Sequence, residues 1–286
     1  MAKGRELKRR IKTVENTRKI TRTMELVATS RMKRAQDRVT AARPYARALG
    51  DVIAGLYSPD LADRFPLLRQ PERARKAAVI LLTSNRGLCG GFNANLIREA
   101  RGLLRKLRDQ GTDIELHVVG RKGIGYFRYV GQQMASQRTD ITDRPRAEDA
   151  ASLVEGLMTD FVSGALDAVY VVYAQFRSAI STPPKSERLL PVEPPKKTGP
   201  LPDYLLFPSA EAILTELLPA YVRNTVYRAL VENEAGFQGA QRTAMKNATD
   251  NATDILNVLR RNYNRARQAN ITQEISEIVG GAAALE

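Results

Sequence analysis

The residues whose types could do chemistry cluster in a turn reading Ser84-Asn-Arg-Gly-Leu-Cys-Gly-Gly-Phe-Asn93. The turn follows an apolar run and precedes a helical pattern, which is where a doubly wound enzyme holds phosphates on a helix N-terminus. Its glycines, Gly87, Gly90 and Gly91, do not make the G-x-G-x-x-G spacing, and no Lys-Ser/Thr pair completes a P-loop. A second fragment, Gly123-Ile-Gly125, has Arg128 where the last glycine would stand. Cys89 would need a base in reach to act as a nucleophile, and the single histidine, His117, lies inside an apolar strand pattern. A small buried thiol and a packed imidazole are the readings those surroundings support. No pair of carboxylates sits in an apolar context and no metal-ligand spacing occurs. The expectation is therefore no catalytic, cofactor-binding or metal-binding residue.

The elements that position this turn read as a small α/β domain. Residues 77–83 (AAVILLT), 114–119 (IELHVV) and 167–173 (DAVYVVY) are short apolar runs suited to buried strands. Helical patterns over 94–108, around Tyr126 and over 147–166 alternate with them, and residues 181–190 could add an antiparallel edge. That order implies a mainly parallel, Rossmann-like sheet. The prolines from Pro183 to Pro208 read as a stiff extended connector, with a docking site for proline motifs as the alternative.

Both ends read as very long helices. From Lys3 to Tyr57 the only proline is Pro44, which predicts a kink or bend. Apolar residues recur at spacings of three and four: Leu7, Ile11 and Val14, then Ile20, Met24 and Val27, then Met32, Ala35, Val39 and Ala42. A second helical pattern starts at Ser209, an N-cap with Glu211 close behind, and runs to about Val279. Ala240, Ala244, Ala248 and Ala252 stand at strict i+4 spacing in it, a stripe that would let another helix approach closely on the Ala28, Ala35, Ala42 side of the first. The fold expected is α/β: a long antiparallel coiled coil of the N- and C-terminal helices plus a central Rossmann-like α/β domain. Its parts are a terminal helix over 1–57, a central domain with its Pro-rich connector over 75–205, and a terminal helix over 209–286.

With 45 Lys and Arg against 31 Asp and Glu, the formal charge is +14. Residues 1–57 hold fifteen basic and five acidic groups, so most of the excess lies in the first fifth. Such a balance calls for a partner that tolerates positive charge: nucleic acid, anionic lipid or an acidic protein. One cysteine and one histidine exclude a disulfide scaffold and a zinc finger. Neither a signal peptide nor a membrane span is expected, because no apolar stretch approaches the required length.

Ile20-Thr-Arg-Thr-Met-Glu-Leu-Val-Ala28 with Met32, the turn Ser84 to Asn93, Ala244-Met-Lys-Asn-Ala-Thr-Asp-Asn251, and Tyr263-Asn-Arg-Ala-Arg-Gln-Ala-Asn-Ile-Thr-Gln-Glu-Ile275 closely resemble the gamma subunit of the F-type proton-translocating ATP synthase, end to end and in order. The resemblance implies a non-catalytic central rotor shaft, one copy per complex, coupling proton flow through the membrane ring to conformational changes of the catalytic beta subunits. Implied partners are the alpha and beta subunits, the epsilon subunit and the ring of c subunits, with no cofactor and no nucleic acid. The implied place is the cytoplasmic face of the bacterial cell membrane, peripherally, or alternatively an organelle inner or thylakoid membrane. By match of motif, Arg267, Gln268 and Thr272 resemble positions that bond to the catch loops of the catalytic ring, with Met24 and Arg22 on the facing helix close by. Ala240, Ala244, Ala248 and Ala252 would pack the shaft. The stretch 275–285, with one charge and five small residues at its end, fits a bearing as well as a fraying terminus. Asn85 stands where the family usually has an acidic residue, and a lone Cys89 cannot form the dithiol switch of photosynthetic relatives.

Two other classes compete. A basic coiled coil binding nucleic acid would need a continuous cationic stripe and would lose affinity steeply with salt. An α/β enzyme with helical arms would need the phosphate-binding fingerprints that are missing here.

Overall fold

The computed structural model describes residues 2–56, 64–71, 74–141, 143–178, 181–193 and 209–283. In chain order its elements are α1 (Ala2–Leu56), β1 (Lys76–Leu82), α2 (Phe92–Asp109), β2 (Asp113–Val119), α3 (Arg121–Tyr129), β3 (Ser136–Arg138), α4 (Ala147–Val162), β4 (Ala168–Ala174), β5 (Pro184–Leu190) and α5 (Ala210–Ala283). Neither Pro44 nor Pro219 ends its helix: α1 and α5 continue through them. Ser209 caps α5 as its sequence predicts, its Oγ accepting the Ala212 amide at 3.2 Å. The chain divides into two compact units, Thr29–Ala240 and the pair Met1–Ala28 with Gln241–Glu286.

In the Thr29–Ala240 unit the strand order is β3-β2-β1-β4-β5. All neighbours are parallel except β4 and β5. Because successive strand residues point to opposite faces, β1 divides its apolar run between two cores. Ala78, Ile80 and Leu82 join Leu157 and Phe161 of α4, Leu49 and Ile53 of α1, and Leu214 to Leu230 of α5. Ala77, Val79 and Leu81 join Leu96, Ala100 and Leu104 of α2 with Ile124 and Phe127 of α3. Cover on both faces explains why β1 has no polar alternation. Gly236 lets α5 pass close to β4: a Cβ there would stand 3.1 Å from the Ala174 Cβ.

The three-residue strand β3 was not expected. Residues 184–190 form the antiparallel edge strand expected within 181–190, so the connector expected from Pro183 does not begin there, and Pro184 takes the first strand position, where its missing N–H is tolerated. The remainder of that expected connector from 194 to 208, like Tyr57 and the last residues from 284, lies outside the described residues.

The second unit is a pair of helical segments. They are antiparallel: Thr21 meets Thr249 and Glu15 meets Arg260, so a step back along α1 is a step forward along α5. The residues turned inward follow a strict three-four rhythm, Leu7, Ile11, Val14, Arg18, Thr21, Glu25 and Ala28 on α1, and Met245, Thr249, Ala252, Leu256, Leu259, Tyr263, Ala266 and Asn270 on α5. That is the heptad of a coiled coil. The expected stripe through Ile20 and Val27 is corrected: both are exposed, and the seam runs instead through Thr21 and Glu25.

Candidate functional site

The carboxyl ends of β1 and β4 flank the point where the sheet order reverses, the place where open α/β sheets take ligands. Here that crevice is filled. Leu230, Asn233, Glu234 and Phe237 of α5 close over Leu82 to Arg86 and leave about 40 Å³. A cofactor site needs a few hundred cubic ångströms. Polar atoms of the turn are engaged in holding it together and in tying it to the neighbouring loops. Ser84 N donates to Asn93 Oδ1 at 3.0 Å. Asn85 Oδ1 accepts the Arg121 amide at 3.0 Å, while its Nδ2 donates to the carbonyls of Thr139 and Ile141, each at 3.1 Å. An amide suits this position better than a carboxylate, because both of its ends are used. Gly120, at φ +98°, has Thr83 O where a Cβ would stand, 2.2 Å away.

Cys89 is buried, accepts from Asn93 Nδ2 at 3.3 Å, and has its thiol pushed up by burial. His117 Nδ1 pairs with Ser136 Oγ at 2.8 Å, and burial lowers its pKa from the ordinary imidazole value. Among the described residues no three His, Cys, Asp or Glu groups come together as metal ligands.

The two-helix unit carries the residues matched by motif. Arg267, Gln268 and Thr272 are exposed on α5, and their side chains make no hydrogen bond or ion pair among the described residues. Arg22 is exposed and bonds Glu25 at 2.8 Å, while Met24 is half-buried. These two sets are not adjacent. The Thr21–Thr249 contact places Arg22 and Met24 near Thr249, eighteen residues before Arg267, which is about 27 Å along a helix axis. Of the four alanines, Ala252 is buried in the seam and Ala244 and Ala248 flank it. Ala240 instead packs in the other unit, against the cluster of Phe92 and Phe237. Strict i+4 spacing advances about 40° per step around a helix, so such a stripe cannot stay on one seam.

What the sequence reading missed is the polarity of that seam. Thr21 and Glu25 are each only 8% exposed. The Thr21 and Thr249 hydroxyls lie 2.8 Å apart, and each also reaches a carbonyl on its own helix, Arg18 O at 3.1 Å and Met245 O at 2.8 Å. Arg260 bonds Glu15 at 2.6 Å. Outside the seam, large apolar side chains face solvent: Ile20, Leu26 and Val27 on α1, and Ile255, Val258, Ile271, Ile275, Ile278 and Val279 on α5. Exposed apolar surface of this extent marks a face that something else covers. Counting the heptad through positions 18, 21, 25 and 28 would have found the seam.

A family model described as ATP synthase matches residues 3–285. The chain is 66% identical over its whole length to the ATP synthase gamma chain of Gemmatimonas aurantiaca, and covers all of that protein. It is 45% identical to the ATP synthase gamma chain of Frankia casuarinae, across 98% of this chain and 97% of that one. Among solved structures it is similar to a chain of the Euglena gracilis mitochondrial ATP synthase OSCP/F1/c-ring structure, with TM-score 0.69, 19% identity, and 99% and 95% of the two chains covered. A chain in the central stalk and c-ring structure of the Tetrahymena thermophila mitochondrial ATP synthase matches with TM-score 0.62 and 24% identity, over 80% of this chain and 99% of that one.

Proposed function

Since the chain belongs to the ATP synthase gamma chain family, we propose that it is the central rotor shaft of an F-type ATP synthase, turned by proton flow through a membrane ring. Residues 1–57 and 209–286 form the shaft in this reading, and residues 75–205 the head. Each orientation of the shaft touches the three beta subunits differently and so favours a different conformation in each; a shift of this kind requires only differential contact energy. The chain itself makes no bond in the reaction. The observation that carries this reading is the antiparallel pair of chain ends, whose outer surface is studded with apolar side chains that no part of its own unit covers.

The partners are the alpha and beta subunits around the shaft, with epsilon and the ring of c subunits at the head, one copy of this chain per complex, on the cytoplasmic face of a bacterial membrane. No helix among the described residues is long and apolar enough to cross a membrane. Arg267, Gln268 and Thr272 hydrogen-bond to carboxylates or backbone of the beta subunits, work to which a planar guanidinium is suited. Arg22 and Met24 make a separate contact at a different level of the shaft. Nucleic acid is not a partner in this reading, since the large apolar side chains exposed on the helix pair, such as Ile255, Ile271 and Ile278, serve no phosphate.

Mixing the chain with alpha and beta subunits should give a stable complex with ATPase activity. In reconstituted vesicles Arg267→Ala or Thr272→Ala should weaken ATP synthesis driven by a proton gradient without unfolding the chain. Unchanged synthesis would count against the assigned contacts.

A further inference from the structure

Five apolar residues of α5 pack into the sheet's core at strict i+4 spacing: Leu214, Leu218, Val222, Val226 and Leu230, all buried. A shift of about one turn, roughly 6 Å along the axis with about 40° of rotation about it, would place Leu218 where Leu214 sits, Val222 where Leu218 sits, and so on along the row. Leucine and valine are close enough in size that this face alone discriminates weakly against such a slip. Beside it stands a polar set that does discriminate. Glu187 on β5 accepts from Tyr173 Oη and Lys185 Nζ, each at 2.7 Å, and from Arg228 Nη2 of α5 at 2.9 Å. Asn233 Oδ1 takes the amide of Ala174, the last residue of β4, and Glu232 Oε2 the Phe176 amide two residues on, both at 3.1 Å.

We propose that Arg228, Glu232 and Asn233 are the residues that lock the register of α5 against the sheet, so that the helix cannot ratchet by a turn when it carries torque. This rests on the shaft reading above. A slide of one turn in one direction brings the Glu232 carboxylate to Glu187, where like charges repel; in the other it brings Asn224 and leaves Glu187 without its α5 cation. The cluster is poorly explained as a device for stability. Partly exposed ion pairs contribute little and buried ones often do no better than apolar replacements; Arg228 and Glu187 are half-buried, and Arg228 Nε is buried without an acceptor among the described residues. Their best-attested use is to fix register, and one-turn shifts are a known mode of helix displacement.

The test uses the complex of the chain with alpha and beta subunits and the membrane ring. Arg228→Met with Asn233→Ala removes two of the links while Glu187 keeps Lys185 and Tyr173. Val226→Ala, which leaves a small cavity on the same helix face, serves as the stability control. Expected is a fall of at least about fivefold in ATP synthesis against a proton gradient for the double variant, with unloaded ATPase within about twofold of wild type and little change for the control. Arg228→Lys, which keeps the charge, should recover part of the loss and serves as the test variant if the double one does not assemble. Loss of synthesis in proportion to melting temperature in both the register variants and the Val226→Ala control would overturn the proposal, as would wild-type synthesis in the register variants. Failure of the wild-type chain to assemble with alpha and beta would instead remove the shaft reading beneath it.

Discussion

The two units distribute polarity in opposite ways. In the Thr29–Ala240 unit the sheet is apolar on both faces, and polar atoms of the Ser84–Asn93 turn beside it are bonded within the same unit. In the two-helix unit the seam buries Thr21 and Glu25, while Ile20, Leu26, Val27, Ile255, Ile271 and Ile278 lie outside. A domain of the first kind is complete by itself. A helix pair of the second kind holds together weakly through its seam and offers its apolar surface outward, so its stable setting is inside another protein.

The sharpest break in this comparison is a core deletion. Phe161→Ala, at a site with no exposure, should cost about 3–5 kcal/mol in chemical denaturation of the isolated chain. Ile278→Ser, at a side chain 72% exposed, should change that stability by less than about 0.5 kcal/mol and yet weaken assembly with the alpha and beta subunits about tenfold. If both substitutions act on the isolated chain alike, the contrast between the units fails. Asn85→Asp removes the donor to two carbonyls and should cost about 1–3 kcal/mol, seen as a lowered melting temperature. Thr21→Val with Thr249→Val replaces both members of a seam pair by apolar groups, so stability should stay within about 1 kcal/mol of wild type or rise. A large loss there would mean that the seam depends on its hydroxyls.

A pH effect sharpens the comparison within the sheet unit. Burial raises the Glu234 carboxyl from its ordinary 4.5 to about 8; nearby Asp143 adds to the shift, while the Gln238 amide, Arg38 and Arg31 oppose it. The folded state therefore holds a proton that the unfolded chain releases near 4.5. Stability should be full below that value, fall as pH rises toward 8, and level off above it. Glu234→Gln should flatten the decline in thermal midpoint; an unchanged slope would show that Glu234 does not cause it.

Much of the sheet unit could be read from sequence because its signals are local. The run at 77–83 becomes β1 at Lys76–Leu82, and the pattern at 94–108 becomes α2 at Phe92–Asp109, since uninterrupted apolar runs and amphipathic periods state their own burial. The Ser136–Arg138 strand has no such signal: three polar residues pair with His117 to Val119 only because the neighbouring strand is there. The seam misled for a different reason. Hydrophobic periodicity assumes that apolar residues face inward, and at Ile20 and Val27 they face outward. The filled crevice and the Arg228–Glu187 link join residues far apart in sequence, and no local pattern announces either.

As the rotor shaft, this chain should turn inside the ring of alpha and beta subunits. Tyr129 is 90% exposed and Cys89 is buried, so Tyr129→Cys gives a labelling site for a bead on the head without disturbing the native thiol. With alpha and beta subunits fixed to a surface and ATP supplied, the bead should rotate stepwise in one direction. A bead that stays still while ATP is hydrolysed at the full rate would show that the chain is not the rotor.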